Sequence, residues 1–550
     1  MHVSDAAITS IPKWTVQTTW TELWSGALRV EVERRLGSWL SERRWFRAKS
    51  RGFCAVQELD VLTINDQPDQ ALWLVGLAPH DAELVTYFVP VSLVQGERLA
   101  AIEGEQVSSI VGYVQGLRQR CAVVDGVACA TSAELLLDLV HAATNLDTAT
   151  NVDTATNLDA AAHILGSAAS GLKPVAALPA PRAAHLEQTN SSVLFGEEVL
   201  LKVYRQLSWG AHCEGEMGEF FAQHASHAPV PAVLGELRYQ SSVGEQAALV
   251  LVQEYVPHQG TAWQATLDQL RVFFDARLAE PRSASVWDSA AMAGLFGWFD
   301  RLARCTAEVH LALSRGQAVP GFEPEPFSAA IQETMVNKAR ALVSTTFQSL
   351  SQAMQQLPSS LAGNVERLLQ RRAELDEVLS RFAQLKVDCH LIRCHGDLHL
   401  GQVLCTGDEF VMIDFEGQPT EPLHERRAKN CPLRDVTSMT RSFNYAVEAV
   451  LGSGHYSDQE VAELRPWASE WDNQVSSRYL QSYLQATASE PFLPALPEQL
   501  AWLLRFYGIE KALYEIGYEL NHRPAWLPIP VLGLTRLLDG VADDALPSLT

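Results

Sequence analysis

Residues 391–417 read LIRCHGDLHLGQVLCTGDEFVMIDFEG. Asp397 follows His395 and Gly396, Gln402 stands five residues later, and Asp414 opens Asp-Phe-Glu-Gly twelve residues beyond that. Carboxylates and an amide set beside apolar runs are costly in a core unless something engages them. Phosphoryl transfer uses such a set. One carboxylate takes the attacking hydroxyl's proton, and oxygen ligands hold Mg²⁺ against the β- and γ-phosphates of ATP. Asp397 is therefore the candidate base, and Gln402 and Asp414 are the candidate Mg²⁺ ligands. An amide oxygen of Gln suits a hard cation as well as the Asn of protein kinases does. HGD alone or DFxG alone is unspecific; the two in order, at kinase spacing, with the hairpin pattern QVLCTGDEFVMID between them, are not.

Upstream residues supply the nucleotide side. Lys202, in the strand-like VLLKVYR, is placed to reach the α- and β-phosphates. Glu216, in the helical EGEMGEFF, is the candidate partner that fixes it, with Glu214 and Glu219 as rivals. The loop QTNSS at 188–192 lacks glycine, so its cover for the phosphates would rest on the hydroxyls of Ser191 and Ser192 and on backbone N–H groups. The apolar run ALVLVQEYV ends at Glu254 and Val256, whose backbone groups are the candidate adenine hinge.

The elements that must position these groups follow from patterning. Residues 20–100 alternate a helical stretch with strand-like runs, a small α/β unit, and 130–142 read as a helix. Residues 143–160 are three copies of a six-residue unit, ATNLDT, ATNVDT and ATNLDA. Six fits neither a helix nor a heptad, so a silent surface insertion is expected, continued by an Ala/Pro/Gly linker to 185. Two β-rich runs flank Gly196, a helix spans 211–224, and strands follow near 230–240 and 247–256. From 263 helical patterns dominate. Strands, one helix, a connector and a helical lobe make the order of a two-lobed kinase. The expected boundaries are 1–110 for an N-terminal subdomain, 111–258 for the rest of the N-lobe with the insert at 143–185, and 259–550 for the C-lobe.

Composition agrees and excludes much. With 47% hydrophobic and 19% charged residues the chain is globular, and 550 residues exceed a single core. A net charge of −23 leaves no basic face for nucleic acid; the most basic stretch, RRWFRAKSR at 43–51, reads as a solvated turn anchored by Trp45 and Phe46. Nine cysteines without a CxxC pair read as reduced thiols of a cytoplasmic protein. No signal peptide and no membrane span is expected.

These segments resemble bacterial maltokinase, most closely the kinase portion of trehalose synthase–maltokinase fusions. The resemblance rests on RCHGDLHLGQVL, VMIDFEGQPTEPLHERR, CPLRDVTSMTRSFNYA, EQTNSSV before LLKVYR, VPHQGTAW, the early RWFRAKSR and GIEKALYEIGYELNHRPAWLPIP. It covers most of the chain outside 143–185. It implies an α+β, protein-kinase-like (aminoglycoside-phosphotransferase-like) fold with an N-terminal cap. The implied activity is ATP-dependent phosphorylation of maltose to maltose 1-phosphate for glucan synthesis, with a separate trehalose synthase as a conceivable partner. Actinobacterial glucosamine kinases share the fold and much of the catalytic loop, which sets glucosamine beside maltose as acceptor. A catalytically silent kinase-like subunit is the reading from another class, and the presence of Asp397, Asp414 and Lys202 weighs against it.

The sugar end is legible in spacing. Lys511, Tyr514, Glu515 and Tyr518 fall at i, i+3, i+4 and i+7 of a helical pattern stopped by Pro524. Such a stripe is often core, but Lys and Glu are uncommon there, whereas a disaccharide needs aromatic faces and charged hydrogen-bonding groups. His399, two residues after the base, is a further sugar candidate. Asp435 reads as a brace beneath the catalytic loop, and Arg441 and Arg523 carry no assignment.

Overall fold

The structure, a computed structural model, describes residues 11–46, 53–64, 68–79, 84–142, 152–154, 163–184, 189–279, 287 and 289–539. The chain divides into two compact units, 1–222 with 231–257, and 223–230 with 258–550.

The first unit carries two sheets. The larger takes β1 (Lys13–Thr15), β2 (Phe53–Ile64), β3 (Gln70–Pro79), β4 (Val85–Gln95), β5 (Ile110–Gln115), β6 (Cys121–Asp125) and β7 (Val152–Thr154) in the order β1-β5-β6-β4-β3-β2-β7. Helix α1 (Gly26–Ser41) and the shorter α2 (Gly96–Glu105) and α3 (Ala130–Ala142) accompany it. Strand β3 shows why this sheet is buried on both sides. Ala71, Trp73, Val75 and Leu77 enter one core with Trp14, Trp24 and Trp39, while Leu72 and Leu74 enter another with Phe88, Leu136 and Phe195. Successive side chains of a strand point to opposite faces, so a strand this apolar throughout must be covered twice.

The second core is shared with a six-stranded antiparallel sheet, ordered β8-β12-β13-β11-β10-β9. Its strands are β8 (His163–Ala168), β9 (Pro181–Ala184), β10 (Ser191–Phe195), β11 (Val199–Val203), β12 (Val233–Gln240) and β13 (Gln246–Glu254), with α4 (Cys213–His224) between β11 and β12.

Two sequence-based boundaries change. The cap sheet does not stop at 110, because β5 and β6 lie inside it between β1 and β4. The stretch to 185 is no linker: β8 and β9 are the two edges of the second sheet. Its small residues serve close packing rather than freedom, since a Cβ at Gly166 would lie 2.4 Å from the Leu139 carbonyl oxygen. Of the repeats, the described residues are 152–154, which pair with Leu62–Ile64 as an edge strand.

The second unit is mainly helical: α5 (Ala262–Ala279), α6 (Ala290–Leu313), α7 (Ala329–Ala353), α8 (Ser359–Gln370), α9 (Arg372–Gln384), α10 (Leu423–Arg426), α11 (Leu433–Leu451), α12 (Asp458–Ala486), α13 (Pro497–His522) and α14 (Pro528–Asp539). Two short strand pairs interrupt them, β14 (Glu325–Pro326) with β15 (His390–Leu391), and β16 (Val403–Thr406) with β17 (Glu409–Met412). Helix α13 starts on Pro497 at its first turn and packs on α7, α11 and α14. It ends at His522, because Arg523 precedes a proline and the α conformation is disfavoured there. Among the described residues no helix is long and apolar enough to cross a membrane. The eight cysteines whose side chains are described are buried free thiols.

Candidate active site

In the first unit the site forms around Lys202 on β11. Strand alternation sends Lys202 and Tyr204 to one face, and Gln253, cross-strand from Leu200, shares that face. All three converge on Glu214 in the first turn of α4: Lys202 Nζ at 2.8 Å, Tyr204 Oη at 2.8 Å and Gln253 Nε2 at 3.3 Å. Lys202 and Glu214 are both nearly inaccessible, with side-chain exposures of 4% and 3%. The partner of Lys202 is thus Glu214 and not Glu216. Two residues along a helix is more than half a turn, and Glu216 lies instead near Glu236, whose carboxyl burial pushes up to about 7 against the pull of Arg238.

The phosphate cover also differs from expectation. Ser191 Oγ accepts from Arg205 Nε at 2.8 Å, and Arg205 Nη2 donates to Asp125 at 2.7 Å, so this hydroxyl ties β10 to the cap sheet. Ser192 is buried within β10. Gln188 lies outside the described residues. At the expected hinge, the Glu254 N–H donates to the Ala232 carbonyl at 2.9 Å, so this amide is already engaged within the sheet.

In the second unit the loop after β15 is held from below. Asp435, in the first turn of α11, accepts from the backbone N–H of His395 at 2.7 Å and of Gly396 at 3.0 Å, and meets His310 Nε2 at 3.2 Å. The His395 ring accepts at Nδ1 from Asp397 N at 3.3 Å and donates from Nε2 to the Ile413 carbonyl at 2.9 Å. One tautomer satisfies both bonds and joins the Asp397 loop to the residue before Asp414. Gly396, at φ +84°, lets the loop approach Gly417, where an added Cβ would stand 3.2 Å from its Cα.

Asp397 Oδ1 lies 3.1 Å from Lys511 Nζ on α13. Burial alone would push this carboxyl up, but the lysine's charge and hydrogen bond outweigh it and hold Asp397 below the ordinary carboxylate range. His399 acts on Asp397 in the same direction as the lysine, while burial drives its own pKa down. Its Nδ1 accepts from Gly401 N at 3.0 Å, so one nitrogen of this sugar candidate is spent shaping the loop.

Asp414 sits beyond the end of β17, at φ +69°, a conformation costly for a residue with a side chain and common where function imposes it. Gln402 Nε2 donates to Asp414 Oδ2 at 2.7 Å. A carboxylate and an amide oxygen fit a hard cation such as Mg²⁺, provided the amide turns so that its oxygen, not its nitrogen, faces the shared position. These residues fit the metal on that condition.

Comparison with known proteins completes the identification. Residues 39–128 match the maltokinase N-terminal cap domain, and 181–417 match the phosphotransferase enzyme family. The chain thus joins a maltokinase-type cap to a phosphotransferase domain, the pairing that supports a sugar kinase of maltokinase type. It is 26% identical over 360 residues to a glucosamine kinase of Streptacidiphilus jiangxiensis, covering 64% of this chain and 72% of that protein. A glucosamine kinase of Mycolicibacterium smegmatis is 25% identical, covering 64% and 78%. The solved structure of a glucosamine kinase with glucosamine, ADP and inorganic phosphate shares the fold at a TM-score of 0.57 and 21% identity, covering 95% of this chain and all of that one.

Within the second unit the α13 stripe splits. Lys511 is at Asp397 and against the Tyr514 ring, 5.2 Å from its centroid. Glu515 is buried and bonded to Arg441 Nη2 at 2.5 Å, a cross-helix pair to α11 that removes it from the sugar candidates. Tyr518 has Tyr514 at 6.3 Å, His522 stacked at 4.5 Å and the Arg523 guanidinium 5.2 Å away. These neighbours take up ring surface that a sugar would use for stacking. The sequence did not single out Tyr204 and Gln253; a two-residue step from Lys202 and cross-strand pairing were the signals that could have found them.

Proposed function

We propose that the protein transfers the γ-phosphoryl group of ATP to the anomeric hydroxyl of maltose, giving maltose 1-phosphate. The contact of Lys511 with Asp397, on a helix whose next turns carry Tyr514 and Tyr518, carries this reading, and the maltokinase cap supports the substrate. Asp397, kept ionised by Lys511, accepts the hydroxyl proton as the sugar oxygen bonds to phosphorus and the bond to ADP breaks. Lys202, fixed by Glu214, would meet the α- and β-phosphates, with the Glu254 carbonyl and Val256 backbone at adenine and the β10 backbone at the outer phosphates. Asp414 and Gln402 would hold Mg²⁺, which when bound neutralises phosphate charge. The ammonium of Lys511 beside the base disfavours an acceptor that brings its own ammonium to that point.

A second reading is glucosamine kinase, favoured by the names of the relatives. ADP release measured with maltose, glucosamine, glucose and trehalose separates them. Turnover highest on maltose is expected; a preference for glucosamine would replace the proposal. If a separate trehalose synthase supplies the maltose, the two enzymes act consecutively.

A further inference from the structure

A cavity of about 610 Å³ opens in the helical unit where α7, the β14/β15 pair, the α10 segment and the first half of α13 face one another. Neither Asp397 nor Lys511 lines it. In a chain of net charge −23 its wall carries one more cation than anion: Lys338, Arg393, Arg427, Lys429 and Arg434 against four glutamates. The glutamates pair with three of these cations. Glu425 pairs with Lys338 at 3.0 Å, Glu325 with Lys429, and Glu421 and Glu510 with Arg434 at 2.8 and 3.8 Å.

The floor is polar and buried. Tyr507, 2% exposed, has no hydrogen-bond partner for its hydroxyl among the described residues. A buried hydroxyl left so is costly, and an acceptor on a ligand would relieve it. Arg393, equally buried, lies over the Phe322 ring at 4.9 Å, which fixes the plane of its guanidinium.

We propose that this cavity is a second ligand site, separate from the acceptor site at Asp397, that takes a phosphorylated saccharide. Guanidinium forks and ammonium groups suit a phosphate monoester, whereas Tyr507, Thr334 and Asn430 suit sugar hydroxyls. The volume lies within the roughly 300–1,000 Å³ of small-molecule pockets. The cavity also adjoins the catalytic loop. Arg393 stands four residues before Asp397, and Asn430, on the wall, exchanges backbone hydrogen bonds of 2.8 and 3.0 Å with Ile392. A sugar phosphate bound here presses on the strand that delivers the base, and so acts as an effector.

The test is calorimetric titration of the whole protein, under saturating maltose and ADP, with inorganic phosphate, glucose 1-phosphate and maltose 1-phosphate. Tyr507→Phe removes one hydroxyl. Thr334→Trp fills the cavity from an exposed position on α7, so the core is spared. Sugar phosphates should bind the wild type without displacement by maltose, and bind both variants at least about tenfold more weakly. Melting temperature and kcat without added sugar phosphate should be unchanged in Thr334→Trp. Absence of binding, binding that neither variant weakens, or inorganic phosphate binding as tightly as the sugar phosphates would overturn the proposal.

Discussion

Lys511 reaches across from α13 to place its ammonium 3.1 Å from the Asp397 carboxylate, bonding two residues 114 positions apart. Lys511→Met removes the largest influence that lowers Asp397 and leaves burial in place, so its pKa should rise. The acid limb of the pH profile of kcat/KM should then move to higher pH. In the wild type the pKa is depressed, so the pair's stabilisation is present above the unfolded value and is lost as pH falls through the folded one. An acid limb that stays in place would remove Lys511 from this role.

Asp397→Asn keeps the shape of the loop but removes the proton acceptor. We expect kcat to fall by about 10²–10⁴ with ATP affinity nearly unchanged. Asp414→Asn should weaken nucleotide binding itself, and only when Mg²⁺ is present. Isothermal titration beside steady-state kinetics distinguishes the two.

Glu214→Gln removes the carboxylate that Lys202 meets at 2.8 Å, and breaking a buried ion pair in this way costs roughly 3–5 kcal/mol in comparable sites. Its melting temperature should drop and its KM for ATP should rise. Glu216→Gln should do neither. Equal effects of the two substitutions would contradict the assignment of Glu214.

Because His522 stacks on Tyr518 and the Arg523 guanidinium lies over the ring, the contribution of Tyr518 to sugar binding should reside in the hydroxyl. Tyr518→Phe is then expected to raise the maltose KM nearly as much as Tyr518→Ala, about 5- to 150-fold, for a lost bond of roughly 1–3 kcal/mol. KM for ATP should hold. A silent Tyr518→Phe beside a damaging Tyr518→Ala would mean that the ring itself matters.

Glu236 gives a stability prediction. Burial, reinforced by Glu219 and Glu216 and opposed by Arg238, lifts its carboxyl to about 7. Between the ordinary glutamate value and that point the folded chain holds a proton that the unfolded chain lacks, so stability declines as pH rises. Glu236→Gln should stabilise by about 1–2 kcal/mol at pH 8 and change little at pH 5. Melting curves at the two pH values decide it.

The catalytic segment was legible because its chemistry is compressed into 27 residues with fixed spacing. Lys202 was legible from strand context, but its partner was not. Three glutamates on one short helix look alike until the sheet beneath fixes which turn faces the lysine. The α13 stripe showed its helical period but not its neighbours: Arg441 on α11 claims Glu515, and His522 stacks on Tyr518. The stretch to 185 was misread for a related reason. Alanine and glycine mark loops statistically, yet at Gly166 the small residue is what lets an edge strand pass the Leu139 carbonyl.

The edge strand β7 gives the repeats a use. Val152–Thr154 is the VDT of the middle copy, and the flanking copies offer LDT at 146–148 and LDA at 158–160. A strand of three residues is also a poor template: it caps Leu62–Ile64 and offers a second chain almost no edge to pair with.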